Sequence, residues 1–593
     1  MRKLLLLAVL GIGVIVALVS CGRHQETAQR RVYRHSLDEA PTSLDPVHAA
    51  TVYSNYVIRV AYDTLYEYKY LARPYELEPN LAAVMPEISP DGLVYTIPIK
   101  HGVRFVDDPA FPAGKGRELT AQDVVYSLKR HFDPKNHSEG AWLWRDRIVG
   151  LDDWGGTGAN YEADVSGLRA VDAYTLRIEL THPYPQLLHT LAQGFAAVVP
   201  HEAVEHYGLQ LGVHPVGSGP YRVDSFDTAR AVLTANRAYR QEPVDIRAEG
   251  YDEALQAFTG VAAINGRAPP YLDGMEIHFI TDAAARLLSF TKNDEVQYIE
   301  LQGEQIDQVL AARDPPTLRP QYADCCRFQT GLEAGFVFMS FNFDSPDIGR
   351  NADPARAERN RALRCAMIKG FDWKKRNDTF YFGLGRVFPG AIPPVVPEFD
   401  PSLSSDSVTL DLEGARKLLA DNGWNADTLP TLTYGAVGNA TQMLMYDQFA
   451  GFMKDIGYPP DKIVWKPYPT FGAVQSAWKQ SELPLVFHSW TLDFPDAENA
   501  LQVFYGPNHS PGSNDSNYQN PEYDRLYEQA GAMPPSAERT AIYRRMNQIL
   551  IDDCVAITGI ARTRILLWHN DVIAWPDREI TGGYFLKYVD LKR

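Results

Sequence analysis

The residues with the most chemistry per position lie close together. In Leu485-Val486-Phe487-His488-Ser489-Trp490-Thr491-Leu492-Asp493-Phe494-Pro495-Asp496, an apolar run ends in a tryptophan. One acid follows three residues later and a second acid three beyond that. An indole face beside a partly desolvated carboxylate suits a small cation, such as the ammonium end of a peptide. The competing reading is a core tryptophan followed by an aspartate that caps the next helix. Paired carboxylates also serve glycosidic chemistry, but the i,i+3 spacing on a Pro-containing turn places Asp493 and Asp496 by local geometry and not across a cleft. His488 stands beside Trp490 as a lone imidazole, which is far more often a packing residue than a metal ligand.

Elsewhere, patterns that would make an enzyme fall short. His201-Glu202-Ala203-Val204-Glu205-His206 resembles a zinc-protease helix but carries one residue too many. At i,i+5 the two histidines point from different helix faces. The glycines of Val216-Gly217-Ser218-Gly219-Pro220-Tyr221 fit neither a dinucleotide nor a phosphate loop. No nucleophile elbow, metal cluster or Cys/His dyad is present, so the expectation is no enzyme, no metal and no cofactor.

The elements that must position Trp490 and Asp493 are those of a mixed α/β chain. The 593 residues are too many for one core. Thr120, with Asp123 three residues on, opens a helix through a capping-box variant. Leu412, Ala415, Leu418 and Leu419 make one helix face, and Gly423 sits where a left-handed stop is expected. Strands near 431–434 and 463–465 flank a helix, a βαβ spacing. Ser536 caps a helix striped by Ile542, Met546, Ile549 and Leu550, and residues 131–165 read as a loop-rich insertion. A balance of 57 Lys and Arg against 74 Asp and Glu offers no basic face for nucleic acid.

The N-terminus addresses the chain. Arg2-Lys3 precede an apolar run over residues 4–19, then Leu18-Val19-Ser20-Cys21. This is an export signal, and its ending looks like a bacterial lipobox that would make Cys21 the lipid-bearing first mature residue. The run is shorter than the roughly 20 residues needed to span a membrane. Residues 21–31 read as a flexible tether. The other cysteines are Cys325, Cys326, Cys365 and Cys554. Neighbouring cysteines rarely bond each other, so one of the first two could pair with Cys365 or Cys554; the connectivity stays open.

In order along the chain, Ser43-Leu44-Asp45-Pro46, Pro79-Asn80-Leu81-Ala82, Asp91-Gly92, Gly102-Val103-Arg104-Phe105, Leu119-Thr120-Ala121-Gln122-Asp123-Val124, Val216-Gly217-Ser218-Gly219-Pro220-Tyr221, Arg361-Ala362-Leu363 and Asn520-Pro521-Glu522-Tyr523-Asp524 resemble the extracytoplasmic solute-binding proteins of peptide-type ABC transporters, family 5. The resemblance implies a two-lobe binding-protein fold (type II, large peptide-binding class) with an extra third domain. Lobe I would comprise 32–82, 211–332 and 557–593, the extra domain 83–210 and lobe II 333–556. It implies a monomer that captures di- to oligopeptides by lobe closure and passes them to a permease. Asp493 would receive the peptide's ammonium group with Trp490 packed nearby, and Tyr53 and Ser54 join them as substrate-binding candidates. Two departures leave room for another ligand: Asn293-Asp294-Glu295-Val296-Gln297 lacks the family's Gly-acid-x-Asp turn, and Ile368-Lys369-Gly370-Phe371-Asp372 replaces an Ala-Ile-Asp-Arg run.

Overall fold

The structure is a computed structural model that describes residues 30–592 apart from 293, 294, 511, 577–579 and 581. The signal segment, Cys21 and the Asn293-Asp294 departure lie outside the described residues. The last tether residue does not hang free: the Arg31 amide donates to Asp273 (3.0 Å) and its guanidinium to the Tyr271 carbonyl (3.0 Å).

Three four-stranded sheets organise the chain. In the first, Val32–Leu37 runs parallel to Gly274–Phe279, which continues antiparallel to Arg230–Ala235 and then Tyr221–Phe226. In the second, Glu87–Ile88, Val94–Pro98, Thr175–Glu179 and Leu168–Asp172 follow one another antiparallel. The third has the order Arg386–Val387, Ala556–Ala561, Gly335–Phe341, Leu485–Thr491, again antiparallel. Each sheet anchors its own apolar cluster. The Gly335–Phe341 strand, buried at every position, forms the centre of the third.

A smaller sheet links the first and third. Thr563–His569 pairs with Tyr298–Leu301 on one side and Cys326–Leu332 on the other. The chain thus passes between sheets twice, at 333–334 and at 562, and the two crossings touch. The Glu333 amide donates to the Arg562 carbonyl (2.8 Å), and the buried Glu333 carboxylate takes Arg562 and Arg564. The division expected at residue 557 falls inside the Ala556–Ala561 strand, which belongs to the third sheet.

Local signals behave as chemistry requires. Asp123 returns its carboxylate to the Thr120 amide (2.8 Å), closing the capping box. The Leu412–Asp421 helix ends at Gly423 with φ of 70°. Leu432–Val437 and Ile463–Tyr468 pair in parallel around the Ala440–Asp455 helix, and Ser536 caps Ala537–Asp552. The cysteines correct the sequence expectation: Cys325 and Cys326 bond each other, and Cys365 bonds Cys554. Cys326 sits in the linking sheet, while Cys365 and Cys554 fasten the Pro354–Lys369 helix to the turn after Ala537–Asp552.

Candidate functional site

Leu485–Thr491 is an edge strand of the third sheet, paired in register with Gly335–Phe341. Phe336 lies opposite Trp490 and Gly335 opposite Thr491. Gly335 is required there, because a Cβ would collide with the Trp490 carbonyl oxygen. Trp490 and Thr491 point to opposite faces by strand alternation. They line two different cavities.

Beyond the strand, Asn499 assembles the turn. Its side-chain oxygen accepts from Trp490 Nε1 (3.2 Å) and from the Asp493 amide (3.0 Å), while its nitrogen donates to Asp493 Oδ2 (2.9 Å). Asn499 is fully buried. One amide thereby sets both the indole and the carboxylate. Among the described residues Asn499 is the only hydrogen-bond partner of that carboxylate, and no cation pairs with it. Burial pushes the Asp493 carboxyl up to about 6, against the Asn499 bond that favours the anion.

Asp496, three residues on, has a different role. It caps the Ala497–Leu501 helix through the Glu498 amide (2.9 Å). Both of its oxygens accept from Arg539 Nη2 (2.7 and 2.6 Å), a guanidinium only 1% exposed. Glu398 approaches the same arginine at 3.5 Å, and its carboxyl is pushed up to about 7 by burial and then by the Asp496 charge. The helix-cap reading of Asp496 is therefore correct, with a buried ion pair that its sequence position does not disclose.

The second-sheet segment reaches across to this turn. Gln193 Nε2 donates to the Asp493 carbonyl, and the His189 ring stacks on Phe494 (5.6 Å between centroids). Between that segment and Trp490 lies a cavity of about 540 Å³ lined by Trp142, Arg147, Tyr184, Glu498 and Tyr527 as well. The smaller cavity, about 210 Å³, receives Thr491 and is walled by Asp38, Tyr53, Arg286, Glu300 and Arg564. Here Tyr53 faces open space. Burial and the Asp38 carboxylate bonded to its hydroxyl raise its phenol.

Ser54 lies behind Tyr53 at the start of the same helix. It is fully buried, with its amide (3.1 Å) and its hydroxyl (3.1 Å) both engaged with Thr51 Oγ1 at the start of the Val52–Ala61 helix. It does not line the cavity. The His201–Tyr207 helix is a solvated one, its Glu202 paired with Arg117 at 2.6 Å. His488 packs between Phe338 and Trp478 and reaches Asp515 at 3.4 Å. Among the described residues no cluster of His, Cys, Asp and Glu could hold a metal ion.

Sequence reasoning missed Asn499, Gln193, Arg147 and Tyr184. The first had a weak local signal, an amide just past a Pro-Asp turn; the others had none.

A closed interface between separately cored units, with ligand-sized cavities along it, is the architecture of a solute-binding protein. Residues 76–512 match the bacterial extracellular solute-binding proteins, family 5, middle region, and the chain belongs to that family. It is an ABC substrate-binding protein, extracytoplasmic and not an enzyme. Its relatives include the heme-binding protein A of Haemophilus influenzae, 24% identical over 491 residues (80% of this chain, 77% of the relative). The glutathione-binding protein GsiB of Escherichia coli K12 is 23% identical over 516 residues (86% and 85%). Among solved structures, HbpA2 of Haemophilus parasuis superposes with a TM-score of 0.73 at 19% identity, over 95% of this chain and 100% of that one. DppA of Helicobacter pylori in complex with the peptide STSA gives 0.68 at 20%, over 96% and 100%.

Proposed function

We propose that this protein captures short peptides with a free amino terminus, holds the ammonium group at Asp493 and delivers the peptide to a membrane permease. The observation that carries this reading is the Asp493 carboxylate at the contact between units, with Asn499 as partner and no cation paired to it among the described residues. An ammonium group supplies the missing charge, and such a charge-assisted bond contributes roughly 1.5–3 kcal/mol. Trp490, held by the same asparagine, offers its indole beside the ligand. Tyr53 in the smaller cavity would meet a second part of the ligand. The relatives named for glutathione and the structure holding STSA are in keeping with a ligand bearing an amine, whereas haem carries none.

Lobe I from 32–82, 211–332 and 557–593, an extra domain at 83–210, and lobe II at 333–556 are the bodies that would close on the peptide. Lipid on Cys21 would keep them at the membrane surface. Native mass spectrometry of the purified protein, followed by calorimetry with the eluted ligand and its N-acetylated form, tests the reading. Acetylation should weaken binding by at least tenfold. A co-purified ligand without an amine, bound equally by Asp493→Asn, would exclude it. Fatty-acid labelling that persists in Cys21→Ser would refute the anchor.

A further inference from the structure

The linking sheet has two unlike ends. Leu332 and Thr563 lie beside the crossings. Cys326 and His569, paired across the same two strands, lie at the far end, roughly 20 Å away at the rise of a strand. A cavity of about 630 Å³ opens there, walled by Phe290, Tyr322, Cys325 and His569 among others. The proposed peptide site does not include it.

The Cys325–Cys326 bond on its wall does little for the fold. A disulfide stabilises chiefly by closing a loop in the unfolded chain, and adjacent cysteines close none. Cys365–Cys554, by contrast, joins residues 189 apart in sequence. Cys325 is exposed and Cys326 is buried, so one sulfur can be reached from outside and the other is sheltered.

The surroundings suit thiols better than a disulfide. Cys325 Sγ lies 3.7 Å from the Gln321 carbonyl oxygen and 3.6 Å from that of Tyr322. A thiol donates at such distances, whereas a disulfide sulfur has no hydrogen to give. Cys326 stands directly opposite His569, the closest side-chain relation two strands offer. His569 Nε2 meets the Phe290 carbonyl at 2.9 Å, so that nitrogen carries the hydrogen and Nδ1 is left as an acceptor. Nδ1 is buried and has no partner among the described residues. Burial lowers the pKa of the ring and keeps it neutral. In the disulfide this nitrogen has nothing to accept; in the dithiol both sulfurs can donate.

We propose that Cys325–Cys326 is a thiol–disulfide exchange site whose co-substrate is a low-molecular-weight thiol admitted by this cavity. The cavity volume lies within the range of about 300–1,000 Å³ that encloses small molecules. The incoming thiol loses its proton to water and its thiolate attacks the exposed Cys325 Sγ. The S–S bond breaks, and Cys326 leaves, takes a proton from water and donates its S–H to His569 Nδ1. A second thiol attacks the mixed disulfide at the incoming sulfur, which frees Cys325 as a thiol and releases the co-substrate as its own disulfide. Two small thiols are thereby oxidised, and the protein disulfide takes up two electrons and two protons. None of this depends on the peptide reading.

The test places the folded protein in buffers of graded mercaptoethanol and its disulfide, traps free thiols with N-ethylmaleimide and maps them by peptide mass spectrometry, with circular dichroism alongside. Cys325 and Cys326 should be trapped together at about a hundredfold less thiol than Cys365 and Cys554, with the fold unchanged. His569→Gln keeps an acceptor and should keep the midpoint, while His569→Phe should shift it about threefold toward the disulfide. A polymer-linked thiol, too large for the cavity, should reduce the pair about tenfold more slowly than mercaptoethanol. Reduction of both disulfides at the same thiol concentration, or trapping of Cys325 and Cys326 in fully oxidising buffer, overturns the exchange site. An unshifted midpoint in His569→Phe overturns the role of His569, and equal rates with the polymer-linked thiol overturn that of the cavity.

Discussion

Asp493 and Asp496 are three residues apart in one turn, and their surroundings differ in kind. Asp496 is enclosed by donors: a helix terminus and both oxygens on a buried arginine. Asp493 is half-buried, its carboxylate bonded by the Asn499 amide and its carbonyl by Gln193 of a neighbouring unit, with no cation paired to it among the described residues. A buried acid whose charge is satisfied within the fold is part of the structure. A buried acid whose charge is not satisfied costs stability and is poised for a partner that arrives from outside. Composition cannot tell them apart; the side chains that return to each one can.

The largest effect should come from removing the satisfied side. Arg539→Met leaves Asp496 and Glu398 buried without their cation, and should cost about 3–5 kcal/mol of stability, read as a lower melting temperature. A loss as small as that of an ordinary surface substitution would erase the distinction between the two acids.

Asp493→Ala should leave the ligand-free protein at least as stable at pH 7.5 and weaken binding of the co-purified peptide by about ten- to a hundredfold in calorimetry. The pH dependence sharpens this. The folded, ligand-free protein holds a proton on Asp493 up to about pH 6, which an unfolded chain has lost by then. Stability from this site therefore falls as pH rises from about 4 to 6, and the cost of the buried anion is fully present above that. An ammonium ligand needs the anion, so affinity should climb between pH 5 and 7 and then level off. In Asp493→Asn the profile should be flat. His189, lowered by burial to about 4, does not titrate in that window. A wild-type profile that is also flat would remove the carboxylate from binding.

Smaller still, Asn499→Leu should loosen both Trp490 and Asp493, weakening binding several-fold and shifting tryptophan fluorescence, with Asp496 and its arginine undisturbed. Smallest is Glu398→Gln. Because that carboxyl is raised to about 7, its ionisation opposes folding at higher pH, so the substitution should raise the melting temperature at pH 8 and not at pH 5.

The helix cap at Asp496, the capping box at Thr120 and the stop at Gly423 were legible because each is completed within four residues. The strand ending at Trp490 was legible from its apolar run. The expected lobe boundary at 557 falls inside the Ala556–Ala561 strand, because an apolar pattern marks a strand and does not name its neighbour. A hydroxyl at a helix start serves a site or the helix equally well, and in the fold Ser54 is engaged by Thr51. Arg147 was invisible inside a stretch read as loop and Tyr184 beyond it, since their meaning depends on a wall more than 300 residues further along the chain. The cysteine pairing was equally non-local.

The two crossings between the linking sheet and the third sheet lie side by side, at 333–334 and 562, fastened by Glu333 with Arg562 and Arg564. Two adjacent pivots define a line. Any opening of the third-sheet unit is thereby confined to swinging about that line, as a gate does on paired pins, and sideways slip would have to break the fastening. On the proposed lobe closure, Trp490 and Asp493 would travel on a fixed arc and return to the same alignment each time.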